Sequence, residues 1–143
     1  MIDMSNQPQQ DCKARVASEW RKVRKDLTAY MEDPDVYENG DDDLSPFCEY
    51  GLAFDYVPAR TFDDQKSGYW RYQFSYSGPS DELRFWGDAA NTVHIVEYWF
   101  LDRFDGAEID VTEEPIVQWL IEVLEDMGSF DHALAEATEE PSS

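Results

Sequence analysis

Residues 68–76 alternate between aromatic and other side chains with a period of two. Trp70, Tyr72, Phe74 and Tyr76 fall on one face of an extended chain, whereas a helix would scatter the four rings around its axis. The positions between them hold Tyr69, Arg71, Gln73 and Ser75. This pattern predicts a β-strand, because aromatic side chains suit a pleated, half-buried surface. The fold must therefore supply an apolar layer against the aromatic face.

Three further segments show strand patterns: residues 50–57, 82–86 and 92–104. The first alternates and has one aromatic face, and the second is short and follows a turn-forming sequence. The third has apolar residues on both faces, which predicts a central strand covered on both sides. Because the connections are short, we predict a three- to four-stranded antiparallel meander within 47–104 and a loop or short extension at 105–111.

A helical pattern precedes the predicted sheet. Apolar residues recur at spacings of three and four from Cys12 to Tyr30, and Asp11 is suited to cap such a helix. Pro34 disfavours helical geometry in the residue before it, so the helix should end there. We therefore predict a helix at 10–32.

A second helical pattern follows the predicted sheet. Thr112 can cap this helix, Pro115 is tolerated in its first turn, and Gly128 is suited to end it. We predict a helix at 112–127, followed by an acidic tail at 129–143 in which a short helix has room to form.

The predicted elements make one domain spanning residues 1–143, a length typical of a single domain. Its fold class is α+β, with the antiparallel meander covered by an N-terminal and a C-terminal helix in two layers. The segment 33–46 is rich in acids and prolines and is predicted to be an exposed loop. The core is expected to include Trp20, Phe54, Trp70, Phe74, Trp99 and Trp119.

The charge of the chain restricts its partners. Acidic residues number 32 against 11 basic ones, for a formal net charge of −21. Six of the basic residues lie within 1–32, so nearly all of the negative field belongs to 33–143. A surface of this sign repels phosphates, which argues against direct binding of nucleic acid and favours a basic protein partner. The aromatic content of 15% argues against a disordered acidic tail.

The sequence shows no apolar run long enough to span a membrane and no signal-peptide pattern, so we expect a cytoplasmic protein without a membrane partner. Cys12 and Cys48 are too few for a disulfide scaffold. Cys12 lies on the apolar stripe of the first helix, where we expect it to fill the core.

No constellation of residues matches a catalytic or metal-binding pattern. His94 and His132 lack metal-ligand spacing to each other or to a partner. The acidic run 41–43 lacks the glycine and terminal glutamate of a calcium-binding loop. We therefore predict no enzymatic activity, no catalytic residues, no cofactor and no bound metal.

Glu97 is the acid whose surroundings are most unusual, because apolar and aromatic residues flank it on a predicted strand. If its side chain faces the core, burial would raise its pKa. The favoured alternative is an ion pair across the sheet with Arg71 or Arg84.

The segments 68–86 (GYWRYQFSYSGPSDELRFW) and 97–107 (EYWFLDRFDGA) resemble small acidic proteins carried on plasmids, conjugative elements and phages. In charge and size the chain also resembles DNA-mimic inhibitors, the anti-restriction and anti-CRISPR proteins of mobile genetic elements. This resemblance implies an inhibitor of a host nuclease system, and it supplies no catalytic residue.

Carboxylates on helices and strands repeat at spacings similar to those of phosphates along a nucleic acid strand. We hypothesise a non-enzymatic inhibitor that occupies the basic nucleic-acid-binding groove of a nuclease or CRISPR effector. The alternative is an immunity protein or antitoxin that neutralises a basic nuclease toxin. Adaptation to a very salty cytoplasm would also explain the acidity. The oligomeric state is left open, with a homodimer as one option.

The acids expected to bind the partner lie in predicted loops and on polar helix positions. They are Asp33, Asp35, Glu38, Asp41, Asp42, Asp43, Asp63, Asp64, Glu108, Asp110, Glu113, Glu114, Glu122, Glu125 and Asp126.

Overall fold

The computed structural model describes residues 7–61, 65, 67–75, 79–87, 93–102 and 105–138. Three helices come first: α1 (Gln7–Glu32), α2 (Pro34–Asn39) and α3 (Phe47–Tyr50). Five strands follow: β1 (Ala53–Val57), β2 (Tyr69–Ser75), β3 (Ser80–Gly87), β4 (Val93–Asp102) and β5 (Asp105–Asp110). The last two elements are α4 (Pro115–Asp126) and α5 (Ser129–Thr138).

The strands form one antiparallel sheet in the order β1-β2-β3-β4-β5, so the chain is an α+β protein built on a meander, as predicted. The predicted count of three to four strands was too low. The segment 105–111, predicted as a loop or short extension, contributes β5, which pairs along β4 from Asp102 opposite Asp105 to Glu97 opposite Asp110. Only Ala107 and Ile109 give β5 an apolar side, and its other residues are acids and a glycine.

The start of the predicted sheet also differs from the structure. Residues 47–50 form the short helix α3, and the first strand begins at Ala53. The side chain of Tyr50 faces α1, where its hydroxyl donates a hydrogen bond to Asp26 Oδ2 at 2.8 Å. The aromatic alternation at 50–57 therefore spans two elements.

The first helix is longer than predicted, because it begins at Gln7 and thus places Asp11 inside the helix, not at its cap. Its predicted end is confirmed at Glu32. Asp33 adopts an extended conformation (φ −131°, ψ 101°) and caps α2, a helix within the predicted loop 33–46. Proline at the first position of α2 accounts for both features, because it starts one helix and cannot continue another.

The helix predicted at 112–127 is α4, which begins three residues later, at Pro115. Thr112 does not cap it: the Thr112 hydroxyl donates to Asp110 Oδ1 and accepts from the backbone N–H of Val96. Gly128 follows α4 with φ +73°, the left-handed geometry that ends many helices. The predicted tail 129–143 includes α5, whose Phe130 is buried.

Helices α1 and α5 cover the same face of the sheet. In α1, Trp20 packs on Tyr98 of β4 with ring centroids 5.3 Å apart. From α5, Phe130 packs edge-on against Trp70 of β2, whose indole N–H donates to the Phe130 carbonyl at 3.0 Å. The molecule therefore has two layers, a helical layer and a sheet.

The predicted core is partly confirmed. Trp20 and Trp70 are buried, and Phe54, Phe74 and Trp119 are partly buried against the core. Trp99 is the exception, because it projects from the opposite face of the sheet.

The prediction that β4 is covered on both faces was wrong. Val96, Tyr98 and Phe100 are buried beneath the helices, whereas Ile95 on the other face is 44% exposed. No described helix covers that second face. The aromatic side chains of this face are shielded by one another and by arginines. Strand β4 therefore has apolar residues on both faces although no layer covers the second face.

Candidate partner-binding surfaces

The acids of segment 33–43 divide into two groups. Asp33 Oδ1 accepts the backbone N–H of Asp35 at 3.0 Å, and Asp35 Oδ1 accepts from the Asn39 amide at 2.9 Å. Asp41 Oδ1 accepts two backbone N–H groups, those of Asp43 and Leu44, both at 2.8 Å. The carboxylates of Asp33 and Asp41 thus hold the local backbone, and that of Asp35 holds a side chain one turn further along α2.

The remaining acids of this segment are exposed. They are Glu38, Asp42 and Asp43. Within the described part of the chain, no side chain or backbone group donates a hydrogen bond to their carboxylates. These three carboxylates are therefore available for contact with a partner protein.

A second exposed group lies on α4. Ile116, Leu120 and Leu124 face the core, so the opposite side of this amphipathic helix is left to polar residues. Glu122, Glu125 and Asp126 occupy that side, three and four positions apart, and all are exposed. Such spacing places neighbouring carboxylates about 6 Å apart along the helix.

Aromatic packing places α4 beside α2 and α3, the helices that hold or flank the acids of the first group. The Trp119 ring of α4 contacts the rings of Tyr37 in α2 and Phe47 in α3, with centroids 6.3 and 6.0 Å apart. We use the term helical acidic surface for the exposed acids of this region: Glu38, Asp42, Asp43, Glu122, Glu125 and Asp126.

Glu114 has a structural role. Its carboxylate accepts from the indole N–H of Trp20 at 3.0 Å and from Arg24 Nη1 at 3.2 Å, which ties the start of α4 to α1. The neighbouring Glu113 is exposed. Asp63 and Asp64 lie outside the described residues.

Glu108 and Asp110 lie on a different surface. They alternate along β5 with Ala107 and Ile109, which face the helices, so both acids project from the opposite face of the sheet. Hydrogen bonds from the side chain and backbone of Thr112 lower the pKa of Asp110. The structure therefore separates the predicted acids into at least two surfaces.

The face of the sheet opposite the helices, which we call the open sheet face, carries a network that sequence reasoning missed. The Arg84 guanidinium lies 3.9 Å from the centroid of the Trp99 ring and 4.9 Å from that of Tyr69. Arg84 Nε donates to Glu82 Oε2 at 2.7 Å, and that carboxylate is nearly inaccessible to solvent. The Arg84 guanidinium thus stacks on both the Trp99 and the Tyr69 rings.

Glu97 belongs to the same network. The indole N–H groups of Trp86 and Trp99 both donate to its Oε1, at 2.8 and 3.0 Å. Glu97 lies opposite Arg84 in the sheet register, but the Arg84 Nε hydrogen bond goes to Glu82. The expected ion pair with Arg71 or Arg84 is therefore replaced by two indole donors.

Arg71 forms the other ion pair of this face. Its Nε and Nη2 donate to the two oxygens of Asp55 at 3.1 and 2.7 Å. The hydrogen bonds that Arg71 donates to Asp55 raise the pKa of Arg71. In the strand register, five charged residues lie side by side across the sheet: Asp55, Arg71, Arg84, Glu97 and Asp110. The alternation at 68–76 identified the side of Arg71, but only the strand register aligns the five residues.

The basic residues of α1 are partly neutralised within the chain. Arg15 pairs with Asp102 at 3.6 Å, Lys22 with Glu19 at 3.2 Å, and Arg24 with Glu114 at 3.2 Å. A shallow groove of about 450 Å³ runs along this helix. Its lining consists of Arg21, Arg24, Lys25, Thr28, Ala29 and Glu32.

The reactive residue types do not gather at a site. Cys12 is fully buried, and burial raises the pKa of its thiol to about 11, so it fills the core as predicted. Cys48, His94 and His132 are exposed on separate elements. Across the described ranges, no three His, Cys, Asp or Glu side chains are grouped to hold a metal ion.

Searches of protein-family models, curated proteins and solved structures find no match to this chain. In the described part of the chain, no helix has the length and apolar character needed to cross a bilayer. The geometry and charge of the two surfaces therefore carry the functional inference.

Proposed function

We propose that this protein is a non-enzymatic acidic inhibitor that occupies the basic nucleic-acid-binding groove of another protein, a nuclease or a CRISPR effector. The observation that carries the proposal is the helical acidic surface, whose six carboxylates are exposed on α2, on the loop after it and on α4, and carry no described ion pair. A nuclease toxin has the same kind of basic groove. An antitoxin would therefore bind through the same electrostatic contacts as an inhibitor of a defence nuclease, and only the target protein would differ.

The position of the acids on α4 supports a role outside folding. Glu125 and Asp126 lie in the last turn, which contains no basic residue. The helix dipole places partial negative charge there, so each acid costs the helix about 0.3–1 kcal/mol. Acids at the C-terminal end of a helix lower its stability, so their presence there is consistent with selection for binding to a partner.

The net charge supports fast capture of a basic partner. Opposite charges steer encounter and raise association rates, and salt weakens the effect. A groove that binds nucleic acid is lined with lysine and arginine, and the carboxylates of this surface repeat at a spacing close to that of phosphates. Such a surface can exclude nucleic acid from the groove.

Competition with nucleic acid tests the proposal. Purified nucleases, CRISPR effectors and toxin nucleases are loaded with a fluorescent duplex DNA or guide RNA, and displacement by this protein is followed by anisotropy. The proposal predicts displacement from at least one of them, weakening steeply as salt is raised. Binding that leaves the nucleic acid in place would contradict it.

Matched variants locate the surface. Replacement of Glu122, Glu125 and Asp126 by their amides should weaken displacement by about tenfold or more, because three charges leave the contact. The control removes the same charge elsewhere, through Glu32→Gln, Asp131→Asn and Glu136→Gln. Equal weakening in both variants would show that net charge alone acts.

A further inference from the structure

The β4–β5 half of the open sheet face combines an aromatic ring with unneutralised acids. Trp99 lies directly opposite Glu108 in the sheet register, and Glu97 lies opposite Asp110 one step along the same face. Trp99 is partly exposed, and Glu108 and Asp110 are exposed. The ring is therefore bordered by carboxylates on the side of β5.

The two described arginines of this face, Arg71 and Arg84, pair with acids other than Glu97, Glu108 and Asp110. Arg71 is held by both oxygens of Asp55, and Arg84 is stacked on rings and bonded to Glu82. Within the described residues, no cationic side chain forms an ion pair with Glu97, Glu108 or Asp110. The two indole donors of Glu97 both use Oε1, which leaves Oε2 without a described donor.

Arg84 shows what the Trp99 ring accepts. A guanidinium 3.9 Å from the ring centroid, with a carboxylate 2.7 Å from its Nε, is a complete arginine site built within the chain. Arginine stacks on aromatic faces and pairs with carboxylates in the plane of its fork, whereas lysine offers only a compact charge. On the β5 side the ring has the acids but no described arginine.

We propose that the β4–β5 half of the open sheet face docks an arginine-bearing segment of a partner protein, with the guanidinium between Trp99, Glu97 and Glu108. Charge complementarity and the arginine-accepting ring favour this occupant. It goes beyond the proposed function, because it concerns the opposite face of the molecule from the helical acidic surface and needs no nucleic-acid groove.

A short peptide tests the proposal. Its probe is a glycine- and serine-based peptide carrying two arginines, titrated at about 0.05 M salt, where exposed charges are weakly screened. Chemical shifts of the indole N–H groups of Trp86 and Trp99 report on the site. The expected result is that these two signals move, while those of Trp20 and Trp70 stay in place.

Three comparisons decide the outcome. The lysine version of the peptide should bind about three- to tenfold more weakly, because it lacks stacking. Glu108→Gln should weaken the arginine peptide by about threefold or more, and Glu136→Gln, an exposed acid on α5, should not. Trp99→Phe keeps a ring and should retain part of the affinity.

Other results would overturn the proposal. Equal binding of the arginine and lysine peptides, or equal effects of the two glutamate substitutions, would indicate attraction to net charge alone. Movement of the Trp86 and Trp99 signals with protein concentration, without peptide and with dimers in sedimentation, would assign the face to a second copy of this chain.

Discussion

The carboxylate of Glu114 accepts hydrogen bonds from two side chains of α1, and this distinguishes it from the exposed acids around it. Sequence reasoning could identify Glu114 as an acid in a polar segment. It could not show that the buried indole of Trp20 lies beside it, because the two residues are far apart in the chain. The same limit applies to Glu97, whose indole partners depend on strand register.

Glu114→Ala should lower the free energy of unfolding by about 1–2 kcal/mol, because the Trp20 N–H loses its acceptor. The neighbouring Glu113→Ala, at an exposed position, should change it by less than about 0.5 kcal/mol. Urea unfolding of both variants checks this. Equal effects would mean that the Trp20 contact contributes nothing.

A buried acid makes a pH-dependent contribution. Asp81 accepts hydrogen bonds from the hydroxyls of Ser75 and Tyr98. Burial raises the pKa of Asp81 above its ordinary 3.8, although both hydrogen bonds act in the opposite direction. Its protonated form therefore favours folding: the stabilisation is complete below about pH 3.8 and is lost as the pH rises through the raised pKa.

Asp81→Asn isolates this contribution, because asparagine keeps the shape and does not titrate. As the pH rises from about 4 to 7, the wild-type protein should lose stability relative to the variant. The quantity to compare is the difference between the two urea-derived free energies of unfolding at each pH. A difference that stays constant, or that rises with pH, would show that Asp81 is not destabilised by burial.

At the scale of elements, long periodic segments were predictable and short or edge elements were not. The stripe from Cys12 to Tyr30 and the alternation in β2 each repeat often enough to identify their element. Strand β5 has one neighbour and two apolar residues, so its polar edge looks like a loop. Helix α5 has only two large apolar residues, Phe130 and Leu134, and its docking depends on a tertiary contact of Phe130.

Phe130→Ala should destabilise the protein by about 3 kcal/mol or more, because the ring packs on Phe54, Trp70 and Phe85. Hydrogen exchange should show loss of protection throughout α5. The control is Glu136→Ala on the exposed side of the same helix, which should leave both quantities nearly unchanged. Wild-type stability in Phe130→Ala would show that α5 does not contribute to the core.

For the whole molecule, the central fact is a net charge of −21 on a two-layer fold with a continuous aromatic core. Fold class was predictable, since composition and periodicity report on layers. The candidate site was only partly predictable, because sequence shows how many acids exist and not which of them share a surface. Glu108 and the α4 acids were predicted together, yet they lie on different surfaces, one on the sheet and one on a helix.

The aromatic core predicts folding without high salt, in contrast to a chain whose acids serve only to bind water and cations in brine. Thermal unfolding at about 0.05 M and 1 M salt checks this, since 1 M salt screens nearly all of the repulsion between exposed carboxylates. We expect a cooperative transition at both concentrations, with a modestly higher midpoint in high salt. A chain unfolded at about 0.05 M would favour the halophilic explanation.

The central claim is that the helical acidic surface is steered into a basic groove, and the most direct test is the association rate with a target found by nucleic-acid displacement. Between about 0.05 and 0.5 M salt, the wild-type association rate should fall by about tenfold or more. The variant E122Q/E125Q/D126N should associate more slowly at low salt and show a shallower dependence, while the control E32Q/D131N/E136Q keeps the wild-type slope. If the two variants show the same rate and the same slope, the account of this surface is contradicted.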